Sequence, residues 1–179
     1  LFRHGLEVAF WATQASEGTI FEPEGSPEEK LEKEPRWRFG VFLGALMHDL
    51  GKPLSDVVVT DKPGALEWNP YAESLEEWLN ETGVTHYFLR WNKGRHQRHE
   101  RLATLALNMV MTAEVKRYLR PPGPELMKTL IEAISGTSAQ HAMAKLIMLA
   151  DAESVKRDLK ESRLNIDGNS LGVSIEPYI

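Results

Sequence analysis

Phe42-Leu43-Gly44-Ala45-Leu46-Met47-His48-Asp49-Leu50-Gly51-Lys52 is an apolar run that ends in two adjacent ligand-type side chains. Phe42, Leu43, Leu46 and Met47 fall at helical spacing, and Gly51 just past the run is expected to stop the helix. A carboxylate at the buried end of a helix costs on the order of several kcal/mol unless it is paired, protonated or bound to metal. A divalent cation would satisfy His48 and Asp49 together. Imidazole suits Mn, Fe, Co, Ni or Zn, and the carboxylate adds a hard oxygen ligand. Taken alone, the pair also fits a plainer role, with His48 capping the helix and Asp49 making a turn contact.

Working outward, residues 1–16 read as a helix with Leu6, Ala9, Phe10 and Thr13 on one face and His4 near its start. Residues 138–160 read as a long helix with Ala142, Leu146, Leu149, Ala150 and Val155 as its core stripe and Asp151 beside that stripe. Taken alone, His4 reads as a surface histidine near a frayed helix end, while Asp151 beside an apolar stripe either pairs with a cation, the favoured reading, or lies just off that face. His141 lies nearly three turns before Asp151 and is set apart from them. A second stretch, Asn92-Lys93-Gly94-Arg95-His96-Gln97-Arg98-His99-Glu100-Arg101, places His96 and His99 three apart at the start of another helix. Positions three apart share a helical face, so His99 is a candidate ligand or catalytic residue ahead of His96. The competing reading is a basic, solvated helix start whose histidines meet phosphate or water. His86, in an aromatic run, reads as a packed core histidine.

The 179 residues suit one ordinary domain, hold no twenty-residue apolar run, and carry no cysteine, so any metal must sit on His and carboxylate. The net charge of −5 is unevenly spread. Residues 17–34 hold seven Glu against two Lys, whereas residues 90–120 hold eight Lys or Arg against Glu100 and Glu114. A basic face thus hides behind an acidic total, and local field matters more than the total for phosphate ligands. No signal-peptide pattern opens the chain, and a cytoplasmic location is the default expectation.

Between these landmarks, residues 17–35 form an acidic connector in which Ser26-Pro27-Glu28-Glu29 starts a short exposed helix. Pro35 to Phe39 then leads into the His48 helix. The β-branched Val57-Val58-Val59-Thr60, the turn Asp61-Lys62-Pro63-Gly64 and the return Ala65-Leu66-Glu67-Trp68 predict a β-hairpin. Residues 71–79 predict a short helix, residues 84–91 a third strand or buried loop, and residues 113–120 and 124–135 two further helices. Trp68 and Trp91 are expected to complete the core or to stack on a base.

The order His4, His48-Asp49, Asp151, each on a helix, resembles the HD-domain metal-dependent phosphohydrolase superfamily, with RHGLEVA similar to its first-helix motif and LMHDLGK to its second. His99-Glu100 resembles the further His-bearing motif of its dinuclear members. The resemblance implies a mostly α fold, an HD-domain helical bundle with a small β-hairpin insertion, over residues 1–164, with 165–179 a tail or linker. A narrower resemblance spans nearly the whole chain. RHGLEVAFWA, EPRWRFGVFLGALMHDLGKPLSD, VVVTDKPGALEWNPY, HYFLRWNKGRHQRHERL and LADAESVKRDL are similar to the N-terminal domain of TraI-type conjugative relaxases of the MobH class. That class carries a His-rich and Gly-rich segment upstream of the first-helix His, which this chain is expected to begin too late to include.

The resemblance implies metal-dependent nicking of DNA at a transfer origin, with the nicked single strand and conjugation machinery such as the coupling protein as partners and no membrane association. Divalent metal, whether Mn, Fe, Mg or Zn, would be held by His4, His48, Asp49, His99 and Asp151. Asp49, Lys52 and His99 are the candidate catalytic residues, and Arg90, Arg95 and Arg98 the candidate DNA contacts. Two other readings stay open. One is a phosphohydrolase acting on nucleotides or small phosphoesters, favoured by a closed pocket. The other is a non-catalytic DNA- or partner-docking module. A tyrosine nucleophile, Tyr71 or Tyr87, is the alternative to metal-activated water.

Overall fold

A computed structural model of the chain describes residues 2–92, 98–137 and 140–166. Its spine is helix α2 (Pro27–Met47), and the local sequence explains where that helix begins. Ser26 takes the N-cap in an extended conformation; its hydroxyl accepts from the Glu29 N–H while the Glu29 carboxylate accepts from the Ser26 N–H. With Pro27 in the first turn and acids at the positive end of the helix dipole, the expected start is the observed one. The helix does not stop at Pro35, however. The short exposed helix and the helix leading to His48 are one element with Pro35 inside it. Proline removes a backbone hydrogen bond there, and the side chains on either side of it tie the helix to the preceding connector. Buried Glu34 accepts the N–H groups of Phe21 and Glu22, each at 2.8 Å, and the Trp37 indole donates to Glu22.

Glycines set how closely the neighbouring helices approach α2. Helices α7 (Pro124–Ile134) and α8 (Ala142–Ile166) cross it at Gly40 and Gly44, where a Cβ on residue 44 would lie 2.7 Å from Ile147 Cδ1. Helix α1 (Phe2–Ser16) crosses at Gly5, where a Cβ would lie 2.9 Å from the Leu46 carbonyl oxygen. These close contacts correct two expected stripes, burying small residues on α1 and seating Met143 and Ile147 of α8 over Gly40 and Gly44. On α1 the buried residues are Gly5, Val8, Ala9, Ala12 and Ser16, while Leu6 and Phe10 are exposed. On α8 they include Met143, Ile147, Ala150 and Ser154, while Leu149 and Val155 face outward. The core joins α1, α2, α7 and α8 to Ala103, Leu107 and Met111 from the segment of α5 (Arg98–Val110) and to Leu119 after α6 (Ala113–Tyr118).

Between α2 and α5 the chain makes an excursion of short elements: α3 (Lys52–Ser55), β1 (Val57–Thr60), α4 (Leu75–Thr82) and β2 (Phe88–Trp91). Strands β1 and β2 form an antiparallel two-stranded sheet, running from Val57 opposite Trp91 to Thr60 opposite Phe88. The fold is thus mostly helical with a small antiparallel sheet. The partner of β1 is the 88–91 segment rather than the expected return at 65–68, which meets β1 only at the bridge Thr60–Glu67. The turn between is held by Asp61, whose carboxylate accepts the N–H groups of Ala65 and Leu66. Helix α4 begins at Leu75, not residue 71, because the Ser74 hydroxyl caps it in a second reciprocal box with Glu77. His86 is exposed rather than packed, and Trp91 is 59 % exposed rather than part of the core, since β2 has no layer above it among the described residues. Helix α8 runs through the expected domain boundary at 164 to Ile166, and residues 167–179 lie outside the described residues. No helix among the described residues is long and apolar enough to cross a membrane.

Candidate metal centre

Three parts of the bundle converge at the C-terminal end of α2. His48 caps that helix in right-handed backbone geometry, and the turn continues through Asp49, with Leu50 N–H donating to the Met47 carbonyl and Lys52 N–H to the Asp49 carbonyl. Gly51 does not close α2 in the left-handed conformation expected of a helix stop. At φ −75° it is buried and opens α3. Helix α1 brings His4 to this turn, and the adjacent Gly5 makes the approach possible, because its missing Cβ leaves room for the Leu46 carbonyl. Helix α8 brings Asp151 and, one turn later, Ser154.

The geometry is tight. His4 Nε2 lies 3.0 Å from Asp151 Oδ1 and 3.9 Å from Asp49 Oδ2. His48 Nε2 lies 3.5 Å from Asp49 Oδ2 and 3.6 Å from Asp151 Oδ1, and the two imidazole rings meet edge to face with centroids 5.4 Å apart. Ligand-type atoms of His4, His48 and Asp49 all fall within 4.8 Å of one another. Asp49 is buried, and Lys52 Nζ sits 2.7 Å from its Oδ2. Asp151 is the open side of the cluster, with its side chain 40 % exposed.

The hydrogen bonds show that these residues suit a cation. His48 Nδ1 is 2.7 Å from the Ala45 carbonyl oxygen, which can only accept, so Nδ1 carries the proton in that bond. In the neutral ring, Nε2 then presents a lone pair. It is buried, has no hydrogen-bond partner, and faces two carboxylates. Lone pairs facing carboxylate oxygens repel unless a proton or a metal ion lies between them. The electrostatics say the same. Burial alone would depress the His48 pKa, but the nearby Asp151 and Asp49 carboxylates and the Ala45 carbonyl outweigh it, and the net direction is upward. Burial would raise the Asp151 carboxyl, yet its hydrogen bond to His4 and the two imidazoles beside it hold it well below the carboxylate range. Two imidazoles with two carboxylates form a donor set suited to a divalent transition ion.

Ser154 is a site residue that reading the sequence missed. It is fully buried, and its hydroxyl lies 3.0 Å from His4 Nδ1. A hydroxyl either donates or accepts, so it fixes the ring plane and leaves Nε2 directed at the carboxylates. Its only sequence signal is position, three residues after Asp151 on the same helical face.

The other candidates are placed as follows. Lys52 is engaged with Asp49. Arg90 sits on the outer strand, its guanidinium against Gly64 of the 61–66 turn and 3.5 Å from the Lys62 carbonyl. Arg95 and His96 lie outside the described residues, and His99 and Arg98 belong to the first turn of α5, with their side chains outside what is described. His141 stacks on Trp37 with ring centroids 5.5 Å apart and accepts from the Met143 N–H, apart from the cluster as expected. The Tyr71 hydroxyl donates to the Leu54 carbonyl, and Tyr87 is exposed.

No curated protein and no solved structure matches the chain. A family model does: TraI_2, described as "Putative helicase", matches residues 1–179, the full length given. The chain therefore belongs to this TraI-type family of relaxase-related, nucleic-acid-processing proteins.

Proposed function

We propose that the chain is the metal-dependent DNA-nicking module of a conjugative relaxase of the MobH class, built on an HD-type hydrolase bundle. The observation that carries this reading is the convergence of His4, His48, Asp49 and Asp151, with His48 Nε2 turned bare toward two carboxylates. A divalent ion held there would supply a water of lowered pKa and neutralise phosphoryl charge. His4 and His48 would bind through Nε2, each ring oriented from behind by Ser154 and by the Ala45 carbonyl. Asp49 would orient the attacking water and take its proton as the scissile P–O bond breaks, with the leaving oxygen protonated by solvent. Lys52, already on Asp49, keeps that carboxylate in place and stabilises charge developing on the phosphate. His99 is assigned to complete the site, and Arg90, Arg95 and Arg98 to contact backbone phosphates of the single strand.

The family description points to a helicase, but these 179 residues contain no GxxxxGK[ST] phosphate loop for ATP, so strand cleavage accounts for the site better than ATP-driven unwinding. The exposure of Asp151 favours a polymeric substrate over a small phosphoester enclosed in a pocket. The test is metal content by elemental analysis together with cleavage of single-stranded DNA, for the wild type, Asp49→Ala and Asp151→Ala. Expected are near-stoichiometric metal in the wild type, its loss in both variants, and cleavage reduced on the order of a hundredfold or more. Full cleavage by Asp49→Ala, with loss in Tyr71→Phe or Tyr87→Phe, would replace the metal-activated water with a tyrosine nucleophile.

A further inference from the structure

Beside the metal centre, on the far side of α3, lies a cleft of about 410 Å³ that the metal reading does not use. Helix α3 is a single turn. Its first residue, Lys52, holds Asp49, and its last two, Leu54 and Ser55, form one wall of the cleft. Glu67, Trp68 and Tyr71, from the segment after the 61–66 turn, also line it, together with Asn92 and strand β1. The volume falls within the range of small-ligand sites, roughly 300–1,000 Å³.

The two rings are fixed by their polar ends. The Tyr71 hydroxyl donates to the Leu54 carbonyl at 3.2 Å, and the Trp68 indole N–H donates to the Glu73 carbonyl at 3.2 Å. The Tyr71 N–H is held by the Asn69 carboxamide oxygen, and the Asn92 amide donates to the Ser55 carbonyl. Tyr71 is nonetheless 58 % exposed, so a ring held at its hydroxyl remains accessible from solvent. Preorganised rings bind flat ligands at little entropic cost.

We infer that this cleft is a nucleobase pocket for the nucleotide next to the scissile phosphate. The inference rests on the phosphodiesterase reading above and names where the substrate's base goes. Charge sorts the two ends of a nucleotide. The phosphate belongs at the cation-binding cluster with Lys52, whereas Glu67 is among the residues lining the cleft, a side chain that repels phosphate and can accept from an exocyclic amino group. The face of Tyr71 supplies stacking, and the Asn92 carboxamide meets the base edge. One helical turn, about 5 Å of rise, separates Lys52 from Ser55, a spacing on the order of one nucleotide.

The test is a titration of the zinc-loaded chain, followed by ¹⁵N resonances, with deoxynucleoside 5′-monophosphates and with deoxyribose 5-phosphate. The nucleotides should shift the Trp68 indole N–H and the Asn92 side-chain amide with one common Kd, and the base-free sugar phosphate should shift neither. Tyr71→Ala should weaken nucleotide binding about tenfold, the loss of one stacked base. Tyr71→Phe, which keeps the ring and loses its anchor on the Leu54 carbonyl, should weaken binding less than Tyr71→Ala, and Tyr87→Ala, outside the cleft, should change nothing. Equal affinity for nucleotide and sugar phosphate, or an unaffected Tyr71→Ala, overturns the pocket and leaves the metal reading intact. Base-dependent binding that Asp49→Ala and metal removal leave unaltered overturns the metal reading and leaves the pocket intact. Binding of neither probe overturns both.

Discussion

The buried core cluster lies in the helical bundle, and the excursion between α2 and α5 contributes no described residue to it. In the bundle, Trp37 is 4 % exposed, stacked between Phe21 and His141, and hydrogen-bonded through its indole. In the excursion, Tyr71, Tyr87, Phe88, Leu89 and Trp91 all stand largely in solvent, while Val59 and Trp78 are its buried apolar side chains. The bundle uses hydrophobic residues to hold four ligand-type side chains in register. The excursion leaves a surface beside them. Stability and recognition are thereby separated along the chain, and substitutions of like chemistry should give unlike results in the two regions.

The largest contrast is between two tryptophans. Trp37→Ala should cost about 3–5 kcal/mol, the usual loss for a buried large aromatic. Trp91→Ala should leave stability within about 0.5 kcal/mol, as at an exposed site. Urea unfolding of both variants measures this directly. A Trp91→Ala loss close to that of Trp37→Ala would mean that the sheet is packed in the native protein, and the contrast would collapse.

A pair of glycines sharpens it. Gly5→Ala puts a methyl group 2.9 Å from a backbone carbonyl on α2, with no flexible side chain to yield. It should destabilise by about 1–3 kcal/mol and, by levering His4 away from Asp49, weaken metal binding as well. Gly64→Ala meets the Arg90 guanidinium at 2.8 Å, a movable partner, and must hold a φ of +79°. The left-handed backbone should cost about 1–2 kcal/mol with metal affinity unchanged. Isothermal titration with zinc, run beside the unfolding curves, separates the two. A parallel fall in metal affinity for both variants would show that the excursion and the metal site are one cooperative unit.

These glycines also mark what could and could not be read from the sequence. The helix start at Ser26-Pro27 and the His48-Asp49 turn followed from residue chemistry and spacing, whereas the grouping of His4 and Asp151 with them followed from the resemblance in motif order. The buried faces of α1 and α8 did not, because hydrophobic periodicity weights large side chains and is blind to crossings, whereas α1 buries small ones such as Gly5, Ala9 and Ala12, and α8 seats Met143 and Ile147 over Gly40 and Gly44. The partner of β1 was hidden for another reason. Nothing local prefers the 88–91 segment to the nearer return at 65–68, and pairing across that distance is a tertiary outcome. Ser154 was silent because a buried serine on a helix has no signature until His4 is placed opposite it.

Ser154→Ala removes the hydroxyl behind His4 and little else. The fold should lose about 1 kcal/mol, while metal affinity should fall about 10- to 100-fold, as for other partners that orient a ligand from behind. Ser154→Thr, which keeps the hydroxyl, should recover part of that affinity if the helix interface admits its methyl group. An unchanged metal affinity in Ser154→Ala would mean that His4 is oriented by Asp151 alone.

The smallest effect reverses sign with the state of the site. In the metal-free chain the His48 pKa is raised, so its contribution to stability is fully present below the ordinary imidazole value of about 6.5 and is lost as pH rises through the raised one. The Asp151 carboxyl is depressed, so its contribution is present above the ordinary value of about 3.9 and is lost only as pH falls toward its depressed one. The metal-free protein should therefore melt highest between roughly pH 4 and 6.5, and its Tm should decline as His48 deprotonates. Metal binding needs the deprotonated ring, so the increase in Tm caused by metal should grow over the interval in which the metal-free Tm falls. Melting curves with chelator and with zinc across this range test both slopes. His48→Gln should reduce both slopes, because the same ring contributes to each. A metal-induced increase that is constant with pH would place the ion on oxygen ligands alone and remove His48 from the site.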